Sequence, residues 1–538
     1  MKTALLAICA SAVIWLGTPV HAAEPRIGKF VKYDTGDFVI VTSRSGTQAR
    51  EIMQKLVKFR ITLEKLIGKR AARSGIGTHI IIVSESDWEK YLQPGKNVGG
   101  YFQRARFDNY MSMNGDLGEF SIPLVFHEYT HFYLASQFAG EYPPWFNEGL
   151  AEVMAYAKFT KTGAVLQIPM FRVHEARDRD WIPFDRLIQV DHGSPEYQNH
   201  KLAESFYAQA WLTVHYGLLE NRDFGRQFME YLGHLNQLVP RDEAIRKAFG
   251  GDLGTIDTNL RTYARSTRMY SGGITLNDVP EVTLPAPVPL SEGDSLAMLI
   301  DAMLVTRLAP DRIRPLVQSL QRREPEAARS YILAARLAEF EDDSKAFDAA
   351  VDKAGTLLSK DDVIGRRELA MVLLNSADNF NPMNTRTSED TKRDLKRALK
   401  WFAEGVERDS TDPKSLWGLG TVLTRLNADL DLADTALKAA YQRVPASASI
   451  AVSLANLKGL EDKPEEMLPY LKDTVRYASD LGTRRWATET LEQMQQYIVE
   501  RKRVDEENRK QREAYEKQLA DYEKKYGKPK KKPAKAGQ

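Results

Sequence analysis

His127-Glu128-Tyr129-Thr130-His131 is the chemically most specific stretch of this chain. Residues four apart share a helix face, so His127 and His131 aim both imidazoles at one point. Glu128 lies one residue round from the first histidine, where its carboxylate reaches a water at that point without being a ligand. Leu124, Val125 and Phe126 before the motif, and Phe132, Tyr133 and Leu134 after it, predict a helix. Gly140 and Pro143-Pro144 end that helix and force a turn. Trp145-Phe146-Asn147-Glu148-Gly149-Leu150-Ala151-Glu152 then opens a second helix, which returns Glu148 to the two histidines. Two histidines and one carboxylate leave the fourth position of a tetrahedral zinc ion for water, as hydrolysis requires. Glu152 shares a face with Glu148 and is placed to accept a hydrogen bond from a ligand imidazole. Asn147 reads as helping to start the helix.

Together the two motifs resemble a gluzincin and, more narrowly, the peptidase MA family, a bacterial group that often carries tetratricopeptide repeats. The resemblance spans roughly residues 36–250. It implies an α+β zincin-like catalytic domain, a small mixed sheet plus active-site helices, with Zn2+ as cofactor. It also implies peptide-bond hydrolysis, with His127, His131 and Glu148 as ligands. Glu128 is then the general base, taking a proton from the attacking water and returning it to the leaving amine. Phe206-Tyr207-Ala208-Gln209-Ala210 resembles the family's Tyr-Ala-Gln-Ser helix, which makes Tyr207 the candidate oxyanion donor; packing on an amphipathic helix is its other reading. A metzincin needs Gly and His where this chain has Leu134 and Gln137. No Gly-Ala-Met-Glu-Asn-like segment of the aminopeptidases is present, so endopeptidase action on a protein or peptide substrate is expected.

Lys2, the uncharged run over 4–16 and the small residues around Val20-His21-Ala22-Ala23 read as a signal peptide over 1–23. A soluble exported protein is expected, periplasmic or secreted. The run is about 13 residues, short of the roughly 20 that cross a bilayer, and no transmembrane segment is expected elsewhere. Cys9 lies inside that signal, so the mature chain offers no disulfide, thiolate nucleophile or cysteine–zinc site. A formal net charge of +2 gives no reason to expect a nucleic-acid partner.

Residues 24–270 are assigned to the zinc peptidase domain. Strands are expected over 38–42 and 79–83, and a helix over 48–67. Extended chain is expected over 99–113, closed by a turn at Asn114-Gly115, and then largely helix from Ile122 to about Tyr263. Residues 271–294, with Pro280, Pro285, Pro287 and Pro289, read as a proline-stiffened linker. Residues 295–500 read as an all-α repeat domain. Trp417, Ala433, Leu437, Ala440 and Pro445 fall at the offsets of a tetratricopeptide repeat, with Ala398, Phe402 and Gly405 in a weaker preceding unit. Gly420 stands where leucine is usual. Residues 501–538 form a charged helix and basic tail, 14 Lys or Arg against 7 Asp or Glu, read as solvated. The rival to the peptidase is an inactive or latent exported scaffold that binds protein partners on these repeats.

Overall fold

The computed structural model describes residues 25–35, 38–67, 77–95, 98–116, 121–137, 142–191, 193–277, 279–359, 361–377, 387–478 and 480–527. The signal-peptide stretch with Cys9, Gly140 of the expected turn, and the lysine-rich end over 528–533 lie outside the described residues. The described chain is mostly helical, with a small mixed sheet and a stack of helical hairpins.

The sheet contains β1 (Val31–Asp34), β2 (Val39–Thr42), β3 (Gly77–Val83), β4 (Gly100–Arg104), β5 (Asp108–Asn114) and β9 (Val288–Pro289), in the order β4-β5-β3-β2-β1-β9. β2, β3 and β5 run parallel, and helix α1 (Gly46–Ile67) connects the first two. Alternation along each central strand sends side chains to two different cores. Ile40, Ile80, Ile82, Met111 and Met113 face α1, where Phe59 stacks on Phe126 with centroids 4.3 Å apart. Val41, Ile81 and Val83 face the opposite way, onto Leu296, Leu299, Ile300 and Met303. Burial on both faces explains the unbroken apolar run Ile80-Ile81-Ile82-Val83.

The extended chain over 99–113 is a hairpin, but its turn lies at 105–107, where Ala105 N donates to Asp108 O at 2.8 Å. Asn114-Gly115 instead ends β5, its Asn114 side chain accepting from Asp116 N.

Helices α2 (Ser121–Gln137) and α3 (Pro144–Ala155) follow. The expected helical run is then broken by β6 (Ala157–Phe159) and β7 (Gly163–Leu166), strands too short to show a period. Helices α4 (Met170–Asp178), α5 (His200–His215), α6 (Arg222–Asn236), α7 (Arg241–Phe249) and α8 (Leu253–Ala264) complete this part. His215 is buried in its core, its Nδ1 3.0 Å from the Tyr263 hydroxyl. Burial depresses His215 from 6.5 to about 4. Between those values the unfolded chain binds the extra proton, so stability falls as pH drops through 6.5 and levels off below about 4. The loss between pH 7 and pH 4 is on the order of 3 kcal/mol. Urea titrations of wild type and His215→Gln at both pH values are expected to differ in acid sensitivity by that amount; equal sensitivity would refute the assignment.

The proline-rich segment 271–294 is not a free spacer. Its β8 (Gly272–Thr275) pairs with β7, and its β9 pairs with β1 at the sheet edge, where a proline is tolerated. Gln54 of α1 donates to Pro280 O and accepts from Val282 N, and Lys65 donates to Thr275 O. Backbone pairing and these side chains strap the segment down despite its prolines.

The repeats are hairpins of α9 (Glu292–Val305) with α10 (Pro310–Arg323), α11 (Ala328–Phe340) with α12 (Ser344–Leu357), and α13 (Val363–Ser376) with α14 (Ser388–Arg408). They continue through α15 (Pro413–Leu426) with α16 (Leu430–Arg443) and α17 (Ala448–Leu460) with α18 (Pro464–Tyr477). Gly420 belongs to the hairpin interface: a Cβ there would meet Leu437 Cγ at 2.5 Å. Because α9 supplies the second core of the sheet, the boundary expected at 295 does not separate two cores. Helix α19 (Leu481–Tyr526) packs Ala487 and Leu491 on α18 and then leaves the core as an exposed charged helix. Among the described residues no helix is long and apolar enough to cross a membrane.

Candidate metal centre

The α2 helix turns His127 and His131 to one side, and α3, starting at Pro144 after an N-cap at Pro143, runs against it. His127 Nε2 and His131 Nε2 lie 3.1 Å apart, and Glu148 Oε2 is 3.4 Å from each. A tetrahedral ion with bonds of about 2.0–2.1 Å needs its ligands about 3.3–3.4 Å apart, so the three atoms fit zinc. Glu148 is buried with its Oε2 facing the two imidazoles, so a cation placed among the three atoms would satisfy it. Burial opposes charge on these groups, but their mutual attraction outweighs it. The imidazoles hold the Glu148 carboxyl well below its usual range, and Glu148 raises His131 to about 9. Coordination requires neutral imidazoles, so a metal bound here would release protons.

The surrounding side chains hold these three residues in place. His131 Nδ1 lies 3.0 Å from Asn147 Oδ1, so Asn147 orients that ring; the helix start expected of it falls to the prolines. Glu152 Oε1 stands 3.7 Å from His127 Nδ1, beside one of the two imidazoles but beyond a direct hydrogen bond. Arg172 of α4 forks that carboxylate, donating through Nε at 3.0 Å and Nη2 at 2.8 Å. The Tyr197 hydroxyl donates to Glu148 Oε1 at 2.9 Å.

Glu128 is not among the converging ligand atoms; burial pushes its carboxyl up, with His131, His127 and Glu148 all in its field. Tyr207 lies in the field of Glu148, Glu152 and Glu128, and its ring centroid stands 6.4 Å from that of Tyr197. The fold therefore brings His127, Glu128, His131, Glu148, Glu152 and Tyr207 into one neighbourhood. His215 belongs to a different core contact, with Tyr263.

Tyr197, Arg172 and the second role of Asn147 were not legible in the sequence. Pro143-Pro144 is the one available signal, since prolines that start a helix free Asn147 from capping it. Nothing near Arg172 or Tyr197 marks either residue.

No family model matches the chain, and no curated protein matches it. Among solved structures, the chain is similar to YrrB, described as a TPR protein with an unusual peptide-binding site, at 15% identity and a TM-score of 0.27, covering 37% of this chain and 92% of that one. A thermophilic TPR protein from Thermus thermophilus matches at 16% identity and a TM-score of 0.30, covering 37% and 98%. Yeast Tom70 matches at 14% identity and a TM-score of 0.30, covering 61% and 70%.

Proposed function

We propose that this chain is an exported zinc-dependent endopeptidase with a gluzincin-type site. The observation that carries the reading is the triangle of His127 Nε2, His131 Nε2 and Glu148 Oε2, with sides of 3.1, 3.4 and 3.4 Å. When bound, the zinc ion supplies Lewis acidity toward the scissile carbonyl and the attacking water. Asn147 keeps the His131 ring turned toward the site, and Tyr197 holds Glu148 through the oxygen that does not face the histidines. Glu128 takes a proton from the attacking water and delivers it to the leaving amine. Tyr207 is the candidate donor to the developing oxyanion. The edge strand β4 packs on α2 through Phe102 and Phe132, with centroids 5.5 Å apart, which suits an extended peptide adding along its outer side.

Metal analysis of the purified mature protein tests the reading. One zinc per chain is expected in wild type and none in His131→Ala or Glu148→Ala. Asn147→Ala is expected to bind zinc about 10–100-fold more weakly. Well-folded wild type that stays metal-free after zinc supplementation would overturn it. A second reading is supported by the hairpin stack and its groove: the repeats act as a scaffold for protein partners, with the peptidase part latent or inactive. A folded, zinc-loaded chain without turnover on any unfolded protein would favour that alternative.

A further inference from the structure

The tip of the β4–β5 hairpin sits inside the repeats. Phe107 is buried in the repeat core, edge-on to Trp417 with centroids 5.1 Å apart. The Arg106 guanidinium lies 4.8 Å from the Trp417 ring centroid, and its Nη1 donates to Asn375 Oδ1 at 2.8 Å. Lys414 Nζ donates to Asp108 Oδ2 at 2.5 Å, joining residues 306 positions apart. Burial opposes the Asp108 charge, but His79 and Lys414 hold its carboxyl down at about 2, so this ion pair persists at ordinary pH. These are the contacts a groove makes to a bound peptide: an aromatic anchor, a stacked cation and a paired acid, all through side chains.

The groove does not end at the tip. An open volume of about 950 Å³ continues from Arg106 and Trp417 past Asn456 of α17 to Trp486 of α19. An incoming segment therefore has a foothold beside the seated tip. The tip is also the end of β4, whose Gly100 and Phe102 lie against Leu124 and Phe132 of the metal helix.

We propose that the hairpin tip is a tethered ligand of the repeat groove, and that an extended segment of a partner protein with the same basic–aromatic–acidic pattern displaces it and resets β4 against α2. The consequence for turnover rests on the peptidase reading; the docking itself does not. A tether holds its ligand at an effective concentration of about millimolar, so a free competitor meets a largely filled site in the intact chain.

The probe is a synthetic peptide of residues 103–110, Gln-Arg-Ala-Arg-Phe-Asp-Asn-Tyr. It is titrated by calorimetry into the full chain carrying His131→Ala, so that neither zinc nor hydrolysis enters the measurement. Adding Phe107→Ser and Asp108→Asn is expected to empty the groove and tighten peptide binding by at least about 10-fold. Lys414→Glu in that background is expected to cancel the gain. No binding to the folded, emptied chain would make the tip a fixed structural contact and overturn the proposal, as would a gain that survives Lys414→Glu. If the tip variant does not fold, hydrogen exchange of residues 100–114 in the intact chain decides. Faster exchange with millimolar peptide supports displacement, and unchanged exchange overturns it. Because every arm is read as binding or exchange, a failed zinc assay and a failed docking assay remain separate results.

Discussion

Glu128→Gln is expected to retain wild-type zinc content and to lose about 10³-fold in turnover on an unfolded protein substrate. The two readouts separate because the ligand atoms that converge come from His127, His131 and Glu148, and not from Glu128. Glutamine keeps the side chain's shape and its place on α2 but cannot accept a proton. General-base catalysis at a positioned group contributes about 10²–10⁴-fold, which sets the scale of the loss. Metal analysis together with initial rates checks the prediction. Unchanged turnover would remove Glu128 from the chemistry, and zinc lost from a folded variant would make it a ligand.

Gly149→Ala is expected to destabilise the chain by about 2–3 kcal/mol and to weaken zinc binding at the same time. A Cβ at Gly149 would lie 2.3 Å from Ala210 O and 2.6 Å from Val214 Cγ2, both on α5. A backbone carbonyl inside a helix cannot move aside, so α3 must shift instead, and Glu148 shifts with it. The Tm is expected to fall by about 2–3 °C, the shift that this loss gives in a chain of about 500 residues. Gly233→Ala on α6 is the control, since a Cβ there meets nothing within 4 Å. It is expected to leave Tm unchanged or slightly raised. Equal behaviour of the two variants would show that the α3–α5 contact does not hold the site.

The candidate metal site was largely legible because its parts obey local rules. His127 and His131 are joined by one helical turn, and Glu148 lies within a proline-started helix whose direction is set nearby. The repeat register was legible for the same reason, since Trp417, Ala433 and Leu437 belong to a single hairpin. The strands β6 and β7 were missed because three or four residues do not establish a period. The reading of 271–294 as a linker followed from its prolines. Its anchors, Gln54 and Lys65, lie more than 200 residues earlier and carry no mark of that role.

Sequence spacing by itself determined which three side chains converge, which carboxylate lies one residue round from them, and where the strand over 79–83 runs, because backbone periods of 3.6 and 2 act over a few residues. Long-range packing settled everything that depends on which surfaces meet. It brought Tyr197 to Glu148 and Arg172 to Glu152, laid α9 on the sheet as its second core, and seated Phe107 against Trp417. Such pairings join residues tens to hundreds of positions apart. They follow from how complete apolar faces fit together, and no local pattern encodes that fit.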